Sequence, residues 1–217
     1  MVNLSSFIFA HARRAPDAVA LIYQGERVTY AQFARRIRAV AGWLAAHGVH
    51  EGDVVALVMR NSPAFLELAF AVSHLGAVFL PINFRLAGDE IAYILANSDA
   101  KLLFVDEEHA AQAQGAPTTK VVDAAARADL SSICAGEAPA MAVRKPSDLF
   151  RLMYTSGTTD RPKGVIHTYE NFYWKSADHL IALGLGQHTR LLLCGPLYHV
   201  GAFDLPGIAV LWAGGTI

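Results

Sequence analysis

Hydroxyls, glycines and one lysine crowd the segment from Tyr154 to Gly164, which reads YTSGTTDRPKG. Backbone N–H groups of a glycine-containing turn can converge on phosphate oxygens. Thr155, Ser156, Thr158 and Thr159 add hydroxyl donors, and Lys163 adds a full positive charge. The chemistry such a set serves is anion binding, above all to the phosphates of a nucleotide. The interval from Gly157 to Lys163 imitates a Walker A loop. However, Pro162 stands where that loop needs glycine, Gly164 stands where it needs Ser or Thr, and proline donates no N–H. The residues that follow read as strand, so no helix N-terminus faces the anion. A plain polar turn between two strands would draw on the same residue types; the ordered string argues for more. Asp160 places a carboxylate among these donors. Aspartate tolerates positive φ better than most residues, and Asp160, Arg161 and Lys163 still sum to +1. We read Asp160 as a substitute in shape, its carboxylate turned to solvent or to Arg161.

His199, in PLYHVGAF, is the second candidate. Taken alone, a histidine there reads as a packed residue. Asp204 follows it closely, yet no G-x-S-x-G elbow supplies a nucleophile, which excludes a hydrolase triad. His47 and His50 lie near a helix end without a third ligand, so no metal site is expected on these residues. Tyr169, Phe172, Tyr173, Leu180 and Leu183 have helical spacing and read as core.

The elements that must hold these residues alternate between strand and helix. VALIYQGERVTY reads as a hairpin turning at Gln24-Gly25. Thr29 and Gln32 form a capping box for a helix with Phe33, Ile37, Val40, Ala41 and Leu44 on one face, ended by Gly48. DVVALVM is a strand, a helix starts at Pro63, GAVFLPI is a strand, residues 86–96 are a helix and KLLFVD is a strand. The stretch 106–147 is less regular, with one short strand at 120–122, and marks a possible subdomain junction. DLFRLMYTSG and GVIHTY are strands flanking the loop, and Thr168 or Asn171 starts a long aromatic helix. RLLLCGP is a strand, followed by a loop and helix, and Gly215-Thr216-Ile217 opens another strand. The fold class is α/β: βαβ units whose mostly parallel sheet is covered by helices on both faces, as the unbroken apolar strands require. A strand opening at the last residue leads us to expect that the chain is part of a longer protein.

Hydrophobic residues at 53% and charged residues at 17% describe a packed globular chain and exclude disorder. A net charge of −1 gives no field to attract nucleic acid. Two isolated cysteines, Cys134 and Cys194, make no disulfide framework and fit a reducing, cytoplasmic setting. The start lacks a basic region ahead of its short apolar stretch, so it does not read as a signal peptide, and no segment reads as transmembrane.

YTSGTTDRPKGV resembles the signature loop of the AMP-forming, adenylate-forming acyl-CoA synthetases, which read YTSGTTG-x-PKGV. The region from Tyr30 to Leu86 and the segment PLYHVGAF are similar to theirs as well, in the same order, so the resemblance covers nearly the whole chain. It implies the N-terminal part of the large adenylation domain, with the rest of that domain and the lid domain lying beyond Ile217. It implies ATP-dependent activation of a carboxylic acid to acyl-AMP and then a thioester with CoA, with a fatty acid favoured. Carried over residue by residue, it implies that Thr155, Ser156, Gly157, Thr158, Thr159, Asp160, Lys163 and Gly164 hold ATP phosphates. Lys163 and His199 would act in catalysis, and His199, Val200, Gly201 and Phe203 would border the acyl group. ATP, Mg2+ held mainly by residues outside this chain, and CoA would be the small-molecule partners, with a homodimer possible. By itself the chain is expected to be inactive. Adenylation with carrier-protein loading, or a degenerate nucleotide- or acyl-binding module without turnover, are the alternatives.

Overall fold

A computed structural model describes residues 3–113, 116, 118–155 and 161–217. Its first element, α1 (Leu4–Arg14), was not foreseen. Asn3 starts it, its side chain accepting the Ser5 N–H, and Leu4, Phe7 and Ile8 bury one face. The hairpin β1 (Val19–Tyr23) and β2 (Glu26–Thr29) turns as expected at Gln24 and Gly25, whose φ values of 52° and 88° are both positive. Thr29 and Gln32 form the expected capping box of α2 (Tyr30–Ala46). Then come β3 (Val54–Val58), the wholly buried α3 (Pro63–Leu75), β4 (Val78–Pro81), α4 (Gly88–Asn97) and β5 (Ala100–Asp106). Helix α4 begins two residues later than Leu86. The Leu86 N–H is spent on a turn to the Asn83 carbonyl, and the Glu90 carboxylate accepts the Ala87 N–H to start the helix.

The irregular stretch supplies β6 (Thr119–Val122) and the short α5 (Ala124–Ala128), after which β7 (Leu149–Thr155), β8 (Lys163–Thr168) and α6 (Tyr169–Ala182) follow. One six-stranded sheet in the order β6-β5-β3-β4-β7-β8 runs through both sides of that stretch. Every neighbouring pair is parallel except β7 and β8. The alternation within β3 shows why its residues are all apolar: Val55 and Leu57 enter one core with α2 and α3, whereas Val54, Ala56 and Val58 enter the other with Ile91, Ile94 and Leu95 of α4.

Two expectations are corrected. Residues 190–196 do not form a strand. Arg190 makes a single bridge to Thr216, its one ladder partner among the described residues, and without a longer neighbour the segment stays irregular, with Leu192 exposed. Leu183 is not core: it lies at the C-terminal cap of α6 and is exposed, while Tyr169 and Phe172 are buried and Tyr173 packs against the core. Helices α7 (Val200–Ala202) and α8 (Ile208–Trp212) complete the chain.

Candidate active site

Strands β7 and β8 are the two arms that present the loop. Their register sets Thr155 opposite Lys163 and Tyr154 opposite Gly164. Thr155 and Lys163 are both exposed at the mouth of this hairpin, and Lys163 has no ion pair among the described residues. Ser156, Gly157, Thr158, Thr159 and Asp160 lie outside the described residues. The flanks are anchored to α4: the Tyr154 hydroxyl donates to Asn97 Oδ1 at 2.7 Å, and the Arg161 guanidinium sits 5.2 Å over the Tyr93 ring. Burial, then Tyr93, raises the Tyr154 phenol above its ordinary value, so it remains a donor at neutral pH.

Beside the hairpin mouth opens a cavity of about 500 Å³. Met153, Tyr154, Thr155, Pro162, Val165 and His167 form its hairpin wall, Tyr198, His199 and Val200 face them, and Asn83 and Glu90 contribute polar edges. His199 and Val200, expected to border the acyl group, line the same cavity as Thr155 and Pro162. Gly201 contributes its N–H, which donates to His199 Nδ1 at 3.1 Å and so leaves the ring proton of a neutral His199 on Nε2. Phe203 is not in the cavity wall. It is fully buried in the apolar core, 5.6 Å from the Phe79 ring centre.

Residues that the sequence did not single out hold this geometry. Asn61 grips the backbone ahead of His199 with both ends of its amide: Nδ2 donates to the Gly195 carbonyl and Oδ1 accepts the Leu197 N–H, each at 2.7 Å. Phe84 packs edge-on against Tyr198, joining the PINFRL turn to the His199 segment. Asn83 and Arg85 themselves close that turn, Oδ1 of Asn83 accepting the Arg85 N–H.

Two other places were weighed. Asp106, Glu108 and His109 come close enough to share a cation. Glu108, however, spends one oxygen on Arg60 at 2.7 Å and the other on Arg127 at 3.2 Å, which makes the cluster an ion-pair network. A groove of about 270 Å³ lined largely by Leu21, Leu66, Leu191, Leu192, Leu193 and Ile217 shares no lining residue with the hairpin cavity and holds no charged side chain. The hairpin and its cavity are the candidate site.

A family model described as "AMP-binding enzyme" matches residues 8–217. A feruloyl-CoA synthase from an Amycolatopsis species is 38% identical over 221 residues, covering 99% of this chain and 43% of that protein. A long-chain-fatty-acid–CoA ligase of Mycobacterium tuberculosis is 38% identical over 184 residues, covering 81% of this chain and 36% of that protein. Among solved structures, ATP-bound MatB from Rhodopseudomonas palustris aligns with a TM-score of 0.88 at 27% identity, covering 99% of this chain and 44% of that one. The chain thus spans less than half the length of these curated relatives.

Proposed function

The chain belongs to the AMP-binding enzyme family, and on that premise we propose that it supplies the ATP-phosphate loop and one wall of the acid site of an AMP-forming acid–thiol ligase. In the proposed reaction, a carboxylate oxygen attacks the α-phosphorus of ATP and pyrophosphate leaves. The thiol of CoA then attacks the acyl carbon of the acyl-AMP, and AMP departs. Negative charge grows on pyrophosphate as it leaves, so donors already aimed at it lower the barrier. Holding acid and nucleotide in adjoining spaces supplies rate through proximity.

The observation that carries this reading is the pairing of Thr155 with Lys163 at an exposed mouth that opens beside the His199 cavity. A hydroxyl and an ammonium that has no ion pair among the described residues fit a polyphosphate, and the cavity fits the acid that must reach it. Mg2+ would be held with the phosphates, its main protein ligand lying outside this chain. The two cysteines are free thiols, Cys134 buried and Cys194 exposed, which supports a cytoplasmic setting. Among the described residues no helix is long and apolar enough to cross a membrane.

The test is ATP–pyrophosphate exchange by the complete enzyme over a panel of fatty and aryl acids. Lys163→Ala is expected to lower kcat/KM for ATP by about a hundredfold, the order seen when one preorganised donor to developing charge is lost. Unchanged kinetics would remove Lys163 from the mechanism.

A further inference from the structure

One charged cluster has no part in the reading so far. Arg151, on β7, is 1% exposed, and its guanidinium forms a two-pronged pair with Asp204: Nη1 to Oδ1 at 3.0 Å and Nη2 to Oδ2 at 2.6 Å. Nη2 also approaches His167 Nδ1, on β8, at 2.8 Å. A buried ion pair adds little net stability over apolar residues of the same size. What this one does is fix a third side chain. A guanidinium has donors only, so His167 Nδ1 must accept and the ring proton must sit on Nε2. Burial, then the Arg151 charge, lowers the imidazole pKa, and the ring stays neutral at pH 7.

His167 lines the same cavity as Thr155 and His199. Its Nδ1 edge faces the buried pair, so its Nε2–H edge is turned away from the pair. It stands four residues along β8 from Lys163, about 13 Å at 3.3 Å per residue. A group that far from the phosphate end meets the distal part of an acid whose carboxylate lies at the loop. Among the residues that line this cavity, Val165, Val200 and Met153 are apolar and offer no donor.

Resting on the ligase reading above, we propose that His167 is a specificity-determining residue whose Nε2–H donates to an oxygen on the acyl part of the acid, a hydroxyl, ether or keto oxygen, so that the site takes oxygen-bearing acids over plain hydrocarbon acids. Arg151 and Asp204 act through it as positioning residues. A site built to hydrogen-bond a substrate oxygen rejects the analogue that lacks it far more strongly than an apolar pocket rejects a missing methylene.

The experiment compares two acid pairs in the complete enzyme, cinnamic with 4-hydroxycinnamic acid and octanoic with 8-hydroxyoctanoic acid. Wild type should favour the oxygenated member of at least one pair by more than tenfold in kcat/KM. His167→Leu should erase that preference, lowering kcat/KM for the oxygenated acid at least tenfold more than for the plain one, and a wild-type thermal midpoint shows that the variant is folded. His167→Gln, which keeps an N–H donor, should restore part of the preference. Equal losses on both acids, or a wild type that favours the plain acids, overturn the assignment. If no acid drives pyrophosphate exchange in wild type, the ligase reading fails. His167 is then judged by titration calorimetry with the same pairs, where equal or undetectable binding overturns it.

Discussion

Glu67 carries a residue-scale consequence for stability. Its side chain is fully buried on α3, accepting from Arg36 at 3.3 Å and from the Leu130 N–H at 2.9 Å. Burial outweighs the Arg36 charge and pushes its carboxyl up from 4.5 to about 7. The folded state therefore holds this proton more tightly than the unfolded chain. The stability gained is complete below about 4.5 and is lost as pH rises through about 7. Urea midpoints should fall across that window, and Glu67→Gln should flatten the slope there; an unchanged slope would show that Glu67 is not the group responsible. Asp160 gives the second residue-scale test. On the expectation that Asp160 substitutes for glycine in shape, Asp160→Gly should leave ATP affinity within a few-fold, about 1 kcal/mol or less; a large gain would show that its charge opposes the nucleotide. The expectation of a phosphate loop rests on contiguous donors, of which residues 156–160 lie outside the described residues. Arg151 and Asp204 were not legible in the sequence, because they stand 53 positions apart and meet only through the fold. Asn61 is hidden for the same reason, since its two partners lie more than 130 residues away.

At the scale of elements, local chemistry decided what could be read. Helix α6 begins where Thr168 accepts the Asn171 N–H and the Asn171 side chain accepts the Thr168 N–H. Removing one half of such a box costs about 1 kcal/mol. Thr168→Ala should lower the thermal midpoint accordingly, whereas Thr168→Ser should not; equal midpoints for all three would assign the helix start to packing alone. The hairpin at Gln24-Gly25 and the start of α3 at Pro63 were readable for the same reason, since each is fixed by two or three adjacent residues. Residues 190–196 show the converse. RLLLCGP has strand composition, but a strand exists only beside a partner, and Thr216 offers a single bridge. Helix α1 was missed because its apolar stretch is short; the signal present was Asn3 ahead of Leu4, Phe7 and Ile8 at helical spacing.

At the scale of the molecule, the apolar surface is unevenly placed. Strand β8 is the outer strand at one edge of the sheet, with Val165 and Ile166 exposed, and Trp174 and Ile181 of α6 and Leu192 beyond it are exposed as well, Leu192 at 84%. Exposed apolar residues scattered singly are ordinary, whereas several large ones along an open strand edge and the helix that follows it mark a surface that binds or aggregates. This chain covers 43% of a feruloyl-CoA synthase that it resembles. Both facts lead to one expectation for the 217 residues purified alone: they should bind a hydrophobic dye or self-associate, and they should release no pyrophosphate in a carboxylate-dependent manner. Ile166→Lys and Leu192→Lys together should reduce the dye signal and the association without lowering the thermal midpoint, because both side chains already face water. Carboxylate-dependent pyrophosphate release by the purified chain would overturn the activity half of this expectation. A monomeric, dye-silent chain would show that the exposed edge is too dispersed to act as one surface.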